Sequence, residues 1–130
     1  MLRNVVTGVL EREMCRIPIV AHGALVQNAY VTEDGGTLTA RLILTVDGSI
    51  KDWEYEAIYD YYDTETFAGL GLVITEKPEF DNPAWEFSFP FIEDDNRLAD
   101  KINGIIHLHS RETASVLEAI KEVEGDYNVV

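Results

Sequence analysis

Residues Asp52–Asp63 read D-W-E-Y-E-A-I-Y-D-Y-Y-D, five aromatic side chains and five carboxylates with only Ala57 and Ile58 among them. Whether this stretch is strand or helix decides how the chain around it folds. As a strand it sends Trp53, Tyr55 and Ala57 to one side and Glu54 and Glu56 to the other, because strand side chains alternate. As a helix it gathers Ile50, Trp53, Ala57 and Tyr61 on one face, with Asp52, Glu56, Asp60 and Asp63 opposite. Its aromatic richness favours the strand.

The preceding segments favour it too. Asp34-Gly35 is a two-residue hairpin signal, since glycine supplies the positive φ such turns need. Folding back there sets Val31 opposite Leu38, Ala29 opposite Ala40 and Leu25 opposite Leu44, all on one face. Asp47-Gly48 is a second signal. It pairs Leu42 with Trp53, Ala40 with Tyr55 and Leu38 with Ala57, and sets Arg41 against Glu54 and Thr39 against Glu56. Turn chemistry and apolar pattern agree, which predicts a three-stranded meander over about 25–62.

Further out, Leu2, Val5, Val6, Val9, Leu10 and Met14 share one side of a helical projection, and Pro18 forbids its continuation. An N-terminal amphipathic helix is expected. The uncharged run Phe67–Thr75 reads as a buried strand. Trp85, Phe87, Phe89 and Phe91 alternate with Glu86, Ser88 and Pro90, a strand with one aromatic face, where Pro90 marks an edge or a strand end. From Asn96 onward Ala99, Ile102, Ile106, His109, Thr113, Val116, Ile120 and Val123 recur at spacings of three and four. One long helix satisfies this, as do two helices broken near Asn103-Gly104 or at Ser110. So does a short strand Ile105–His109 before a helix capped by Ser110 and stopped by Gly125. The expected fold is α+β: one domain over 1–130, with an antiparallel sheet of about five strands and the N-terminal helix and C-terminal helical segment on one face.

The composition is that of a packed but acidic globule: 46% hydrophobic, 24 Asp and Glu against 10 Lys and Arg, net charge −14. Such a charge repels nucleic acid and anionic membranes, so the expected partner is a basic protein surface. No run approaches the roughly 20 apolar residues of a membrane span. Cys15, the single cysteine, has no internal disulfide partner, and Glu11, Arg12 and Glu13 interrupt the N-terminal apolar run too early for a signal peptide. The expected location is cytoplasmic. The oligomeric state is open.

Motifs for chemistry are sparse. His107-Leu-His109 would point two imidazoles the same way on a strand, where they could share a metal ion, but on a helix they diverge by about 200°. His22 lies in a different segment, and Cys15 has no nucleophile signature around it. Gly69-Leu-Gly71 lacks the third glycine of a phosphate loop, and Asp94-Asp95 lacks calcium-loop spacing. No cofactor is expected.

The arrangement of charge is more informative. Asp47–Glu65 holds seven acids against Lys51, and Glu76–Asp100 holds eight against Lys77 and Arg97, so each block carries −6. If their aromatic sides are core, the carboxylates stand in outward rows, ~6.6–7 Å apart on a strand, resembling the phosphates of a nucleic-acid strand. The expectation is a small non-enzymatic binding protein that occupies a basic, nucleic-acid-binding site on another protein, as inhibitors that mimic nucleic acid and toxin-neutralising immunity proteins do. Glu54, Glu56, Asp60 and Asp63 would carry it, with Tyr59 and Tyr62 as aromatic anchors and Asp94 and Asp95 as a second patch. The alternatives are a small metal-dependent enzyme built on His107 and His109, and an acidic secretion-type chaperone with an apolar groove.

Overall fold

Gly35 and Gly36 both take positive φ, 58° and 86°, as both central positions of a type I′ hairpin require. This pair, rather than Asp34-Gly35, makes the turn. In the computed structural model, which describes Val5, residues 24–46 and residues 48–127 (24, 25 and 122–127 by backbone alone), Asp34 pairs with Thr37 across it. The register therefore differs from the expected one. Val31 faces Ala40 and Ala29 faces Leu42, and because each partner moves by two positions the apolar face is kept. The register shifts between Val26 and Asn28, which brings Val26 opposite Leu44 and onto the same face as Ala29. Leu25, expected opposite Leu44, pairs with Thr45 instead.

The described elements are strands β1 (Ala24–Asp34) and β2 (Thr37–Val46), helices α1 (Asp52–Tyr61) and α2 (Thr64–Gly69), strands β3 (Val73–Glu76) and β4 (Ala84–Pro90), and helix α3 (Asp95–Tyr127). The strands form one antiparallel sheet in the order β1-β2-β4-β3. The chain is thus α+β, with four strands among the described residues where about five were expected. The expected N-terminal helix, Cys15, His22 and Asp47 lie outside the described residues, apart from Val5, which is helical and half-buried against the core.

The stretch is helical from Asp52 to Tyr61, so the expected third strand of the meander does not form. Its place beside β2 is taken by β4: Ala40 pairs with Phe89, Leu42 with Phe87 and Leu44 with Trp85. The aromatic alternation of β4 fills the positions that Trp53 and Tyr55 were expected to fill. The inward residues of α1 and its C-cap are Tyr55, Ile58, Tyr59 and Tyr62, spaced three, one and three apart, which continues a helical stripe. The Glu54 carboxylate accepts the Lys51 N–H at 3.0 Å, satisfying a backbone donor at the helix start. Packing of that tyrosine stripe overrides the strand preference of aromatic residues.

One further expectation is corrected, and one choice left open is decided. The uncharged run is not a buried strand: Phe67 belongs to α2, and β3 is a four-residue edge strand with largely exposed side chains. From Asp95 onward, of the options left open, the single long helix forms. It passes through Gly104 and Ser110 without a break and reaches Tyr127, beyond the expected stop at Gly125. Asp94 caps its start, accepting the Arg97 N–H at 3.1 Å. Its inner stripe, Leu98, Ile102, Ile105, Ile106, Val116, Leu117 and Ile120, closes one core with Ile58, Phe67 and the apolar face of β2 and β4.

Phe87 is fully buried at the centre of that core. Phe87→Ala should lower unfolding free energy by about 3–5 kcal/mol, whereas Val31→Ala near the hairpin tip should change it by less than about 0.5 kcal/mol. Urea titration of the two variants beside the parent chain checks both.

Candidate protein-binding face

The two sides of α1 do different things. On the inner side every tyrosine hydroxyl is committed. Tyr55 donates to the Phe80 carbonyl at 3.1 Å. The Tyr59 hydroxyl donates to the Ala84 carbonyl at 3.1 Å and accepts the Ala84 N–H at 2.9 Å, pinning the helix to the start of β4. Tyr62 is 5% exposed, stacks on Trp85 with ring centres 4.1 Å apart, and lies 2.7 Å from His109 Nδ1. Burial pushes both the Tyr59 and the Tyr62 hydroxyl up, so each stays protonated and able to donate. Tyr59 and Tyr62, expected as anchors for a partner, are thereby interior side chains.

On the outer side Asp52, Glu56 and Asp60 are exposed and follow one another at intervals of four, about 6 Å of helix rise. None of the three side chains makes a hydrogen bond or ion pair with the described residues. Beside them Trp53 and Tyr61 are 38% and 48% exposed. These aromatic positions were expected in the core. Only the helical spacing, with the inward stripe on Tyr55, Ile58 and Tyr62, would have placed them outside. The end of α1 has no basic residue in its last turn, although the negative pole of a helix favours one. Asp60 sits there at the expense of helix stability.

The remaining expected residues divide. Glu54 is half-buried and holds the helix start. Asp63 is exposed but caps α2, accepting from Glu65 N at 3.1 Å and from Thr66 Oγ1 at 2.8 Å, while its own N–H donates to Glu112 at 2.9 Å. Asp94 and Asp95 are exposed at the start of α3, with Asp94 serving as its cap. The structure brings Glu56 and Asp60 onto one surface. The strand rows with their phosphate-like spacing are absent.

Arg41, expected to face Glu54, instead reaches Glu86 at 3.1 Å, and Glu86 also accepts from the Tyr30 hydroxyl. That hydrogen bond, then partial burial, raises the Tyr30 value. Arg41 Nε donates to Thr32 at 2.9 Å, so the network on the second sheet face is internally satisfied. Glu86 is the one carboxylate of the aromatic strand and is 5% exposed. Its alternation with Trp85 and Phe87 was the available signal.

His107 and His109, the pair behind the alternative metal-dependent reading, lie on one helix, two residues apart, and so diverge. His109 is fully buried with both ring nitrogens occupied: Nε2 is 3.1 Å from the Thr45 carbonyl and Nδ1 2.7 Å from the Tyr62 hydroxyl. A carbonyl only accepts, so Nε2 carries the proton and Nδ1 accepts from Tyr62. No cluster of three metal-ligating side chains occurs among the described residues. No helix among them is long and apolar enough to cross a membrane.

Burial lowers the His109 pKa from 6.5 to about 4. The unfolded chain therefore takes up the proton first. Stability is full above pH 6.5 and falls as pH drops toward 4, by about 3 kcal/mol in all. Urea unfolding from neutral to acid pH should show this slope, and His109→Gln should remove that part of it. Tyr62→Phe, which strands Nδ1 without a donor, should cost about 1–3 kcal/mol at neutral pH.

Neither a curated protein nor a solved structure matches the chain. A family model described as a family of unknown function (DUF6762) matches residues 1–128, and the chain belongs to that family.

Proposed function

We propose that this protein is a small binding protein that places the outer face of α1 in a basic site on another protein, of the kind that otherwise holds nucleic acid, and so blocks it. The observation that carries the reading is the stripe Asp52, Glu56 and Asp60 without described counter-charges, flanked by exposed Trp53 and Tyr61. Carboxylates alone would give long-range steering and little affinity, because water and salt screen them. Aromatic side chains supply the contact area that dominates interface energetics. The two together suit a cationic groove with an apolar floor.

The position of Asp60 adds support. An acid at the negative end of a helix costs up to about 1 kcal/mol, and Asp60 offsets this with no described contact. Such a residue is retained more easily when a partner uses it. The nucleic-acid-like character of the face rests on charge and helix-turn spacing, since the strand geometry first expected for it does not occur.

The test is a pull-down from the native host with the intact chain, followed by titration of the captured protein. Binding should weaken at least tenfold when salt is raised from about 0.05 to about 0.5 M. Glu56→Lys with Asp60→Lys should abolish it, while the folded state becomes no less stable. Affinity that is unchanged by salt or by the double charge reversal would overturn the reading.

A further inference from the structure

Helices α2 and α3 leave between them a groove of about 300 Å³, lined by Thr66, Phe67, Leu108, Arg111 and Glu112. No residue of the outer face of α1 lines it. Its size lies at the lower end of the ~300–1,000 Å³ of small-molecule sites. Phe67, which is buried, and Leu108, which is half-buried, give it an apolar wall. Its two charges are opposite in sign. Arg111 and Glu112 are consecutive on α3, so their side chains leave the helix about 100° apart. They form no ion pair with each other.

The polar groups of the groove divide by what they can offer. Arg111 is exposed, makes no side-chain hydrogen bond or ion pair with the described residues, and can only donate. Glu112 accepts the Asp63 N–H through Oε1 at 2.9 Å, which holds the carboxylate in place and leaves Oε2 uncommitted among the described residues. Thr66 gives its hydroxyl proton to Asp63 Oδ2 at 2.8 Å, so its oxygen has only lone pairs left. We infer that this groove binds a free α-amino acid with an apolar side chain. The carboxylate of the ligand takes the Arg111 guanidinium. Its ammonium donates to Glu112 Oε2 and Thr66 Oγ1, and its side chain lies on Phe67 and Leu108.

Charge complementarity selects this occupant. A plain anion would meet the Glu112 carboxylate in a chain of net charge −14, and a plain cation would meet the Arg111 guanidinium. Like charges brought together in a partly dehydrated groove cost more than the same pair in water. An α-amino acid carries its ammonium and carboxylate on one carbon atom, and so answers both ends of the groove at once. A segment within a polypeptide carries neither charge. Leucine has no net charge, so the acidity of the chain does not repel it. Arg111 stays largely in solvent, so the binding is weak, with a Kd on the order of 1 mM.

NMR titration of the intact, isotope-labelled protein with L-leucine tests this. The amide resonances of Thr66, Leu108, Arg111 and Glu112 should shift and saturate. N-acetylleucine, which lacks the ammonium, and leucinamide, which lacks the carboxylate, should each bind at least about tenfold more weakly. Glu112→Gln keeps an acceptor for the Asp63 N–H, so the fold is held. It should nevertheless weaken leucine about tenfold and abolish the preference over N-acetylleucine. Arg111→Gln should abolish the preference over leucinamide. Lys121→Gln, which removes an exposed cation elsewhere on α3, should leave leucine binding as it was. No saturable shift at about 50 mM leucine, equal affinity for either blocked derivative, or an affinity indifferent to Glu112→Gln and Arg111→Gln would overturn the proposal.

Discussion

A chain of two hydrogen bonds, from the Tyr62 hydroxyl through the His109 imidazole to the Thr45 carbonyl, ties together three elements that share little sequence. It joins the end of α1 to the middle of α3 and both to β2. The imidazole works here because it is neutral, offering one donor and one acceptor on opposite sides of a ring. Trp85, Phe87 and Tyr62 surround it with ring centres within 5.6 Å, so water does not compete for either bond. Satisfying a buried ring this way gives the core a definite registration that apolar packing alone specifies less sharply.

The same constraint fixes what α1 shows to solvent. Once Tyr55, Ile58, Tyr59 and Tyr62 are committed inward, Trp53, Glu56, Asp60 and Tyr61 have only the outer side to occupy. The tyrosines also satisfy backbone groups at Phe80 and Ala84, so the helix is held by directional bonds as well as burial. A rigid helix loses little freedom on binding, and preorganisation of this kind raises affinity without adding contacts. The indole N–H of Trp85 and Oδ1 of Asn103 are buried without partners, which shows that the core is not fully satisfied.

Much of the sheet was legible. The hairpin between β1 and β2 and the aromatic face of β4 were read from turn residues and alternation. The error at the turn arose because three residues, Asp34-Gly35-Gly36, contain two overlapping hairpin signals, and only the pair of positive φ angles distinguishes them. The error at Asp52–Asp63 has a different origin. Leu42 and Ala40 were correctly seen to need large apolar partners, but Trp53 and Phe87 meet that need equally well in a local reading. The choice between them is tertiary: His109, more than forty residues later, requires a hydroxyl, and Tyr62 supplies it only from a helix end. Glu86 was passed over because no spacing rule links it to Tyr30 and Arg41 before the strand order is known.

The two tryptophans have opposite surroundings. Trp85 is sealed between Tyr62, Tyr59 and His109, while Trp53 stands partly in solvent on the outer face of α1. The native protein thus contains two built-in optical reporters. The blue-shifted emission of Trp85 follows the integrity of the core. The red-shifted emission of Trp53 follows the polarity at the surface of one helix, so the core and that surface can be read separately without a label.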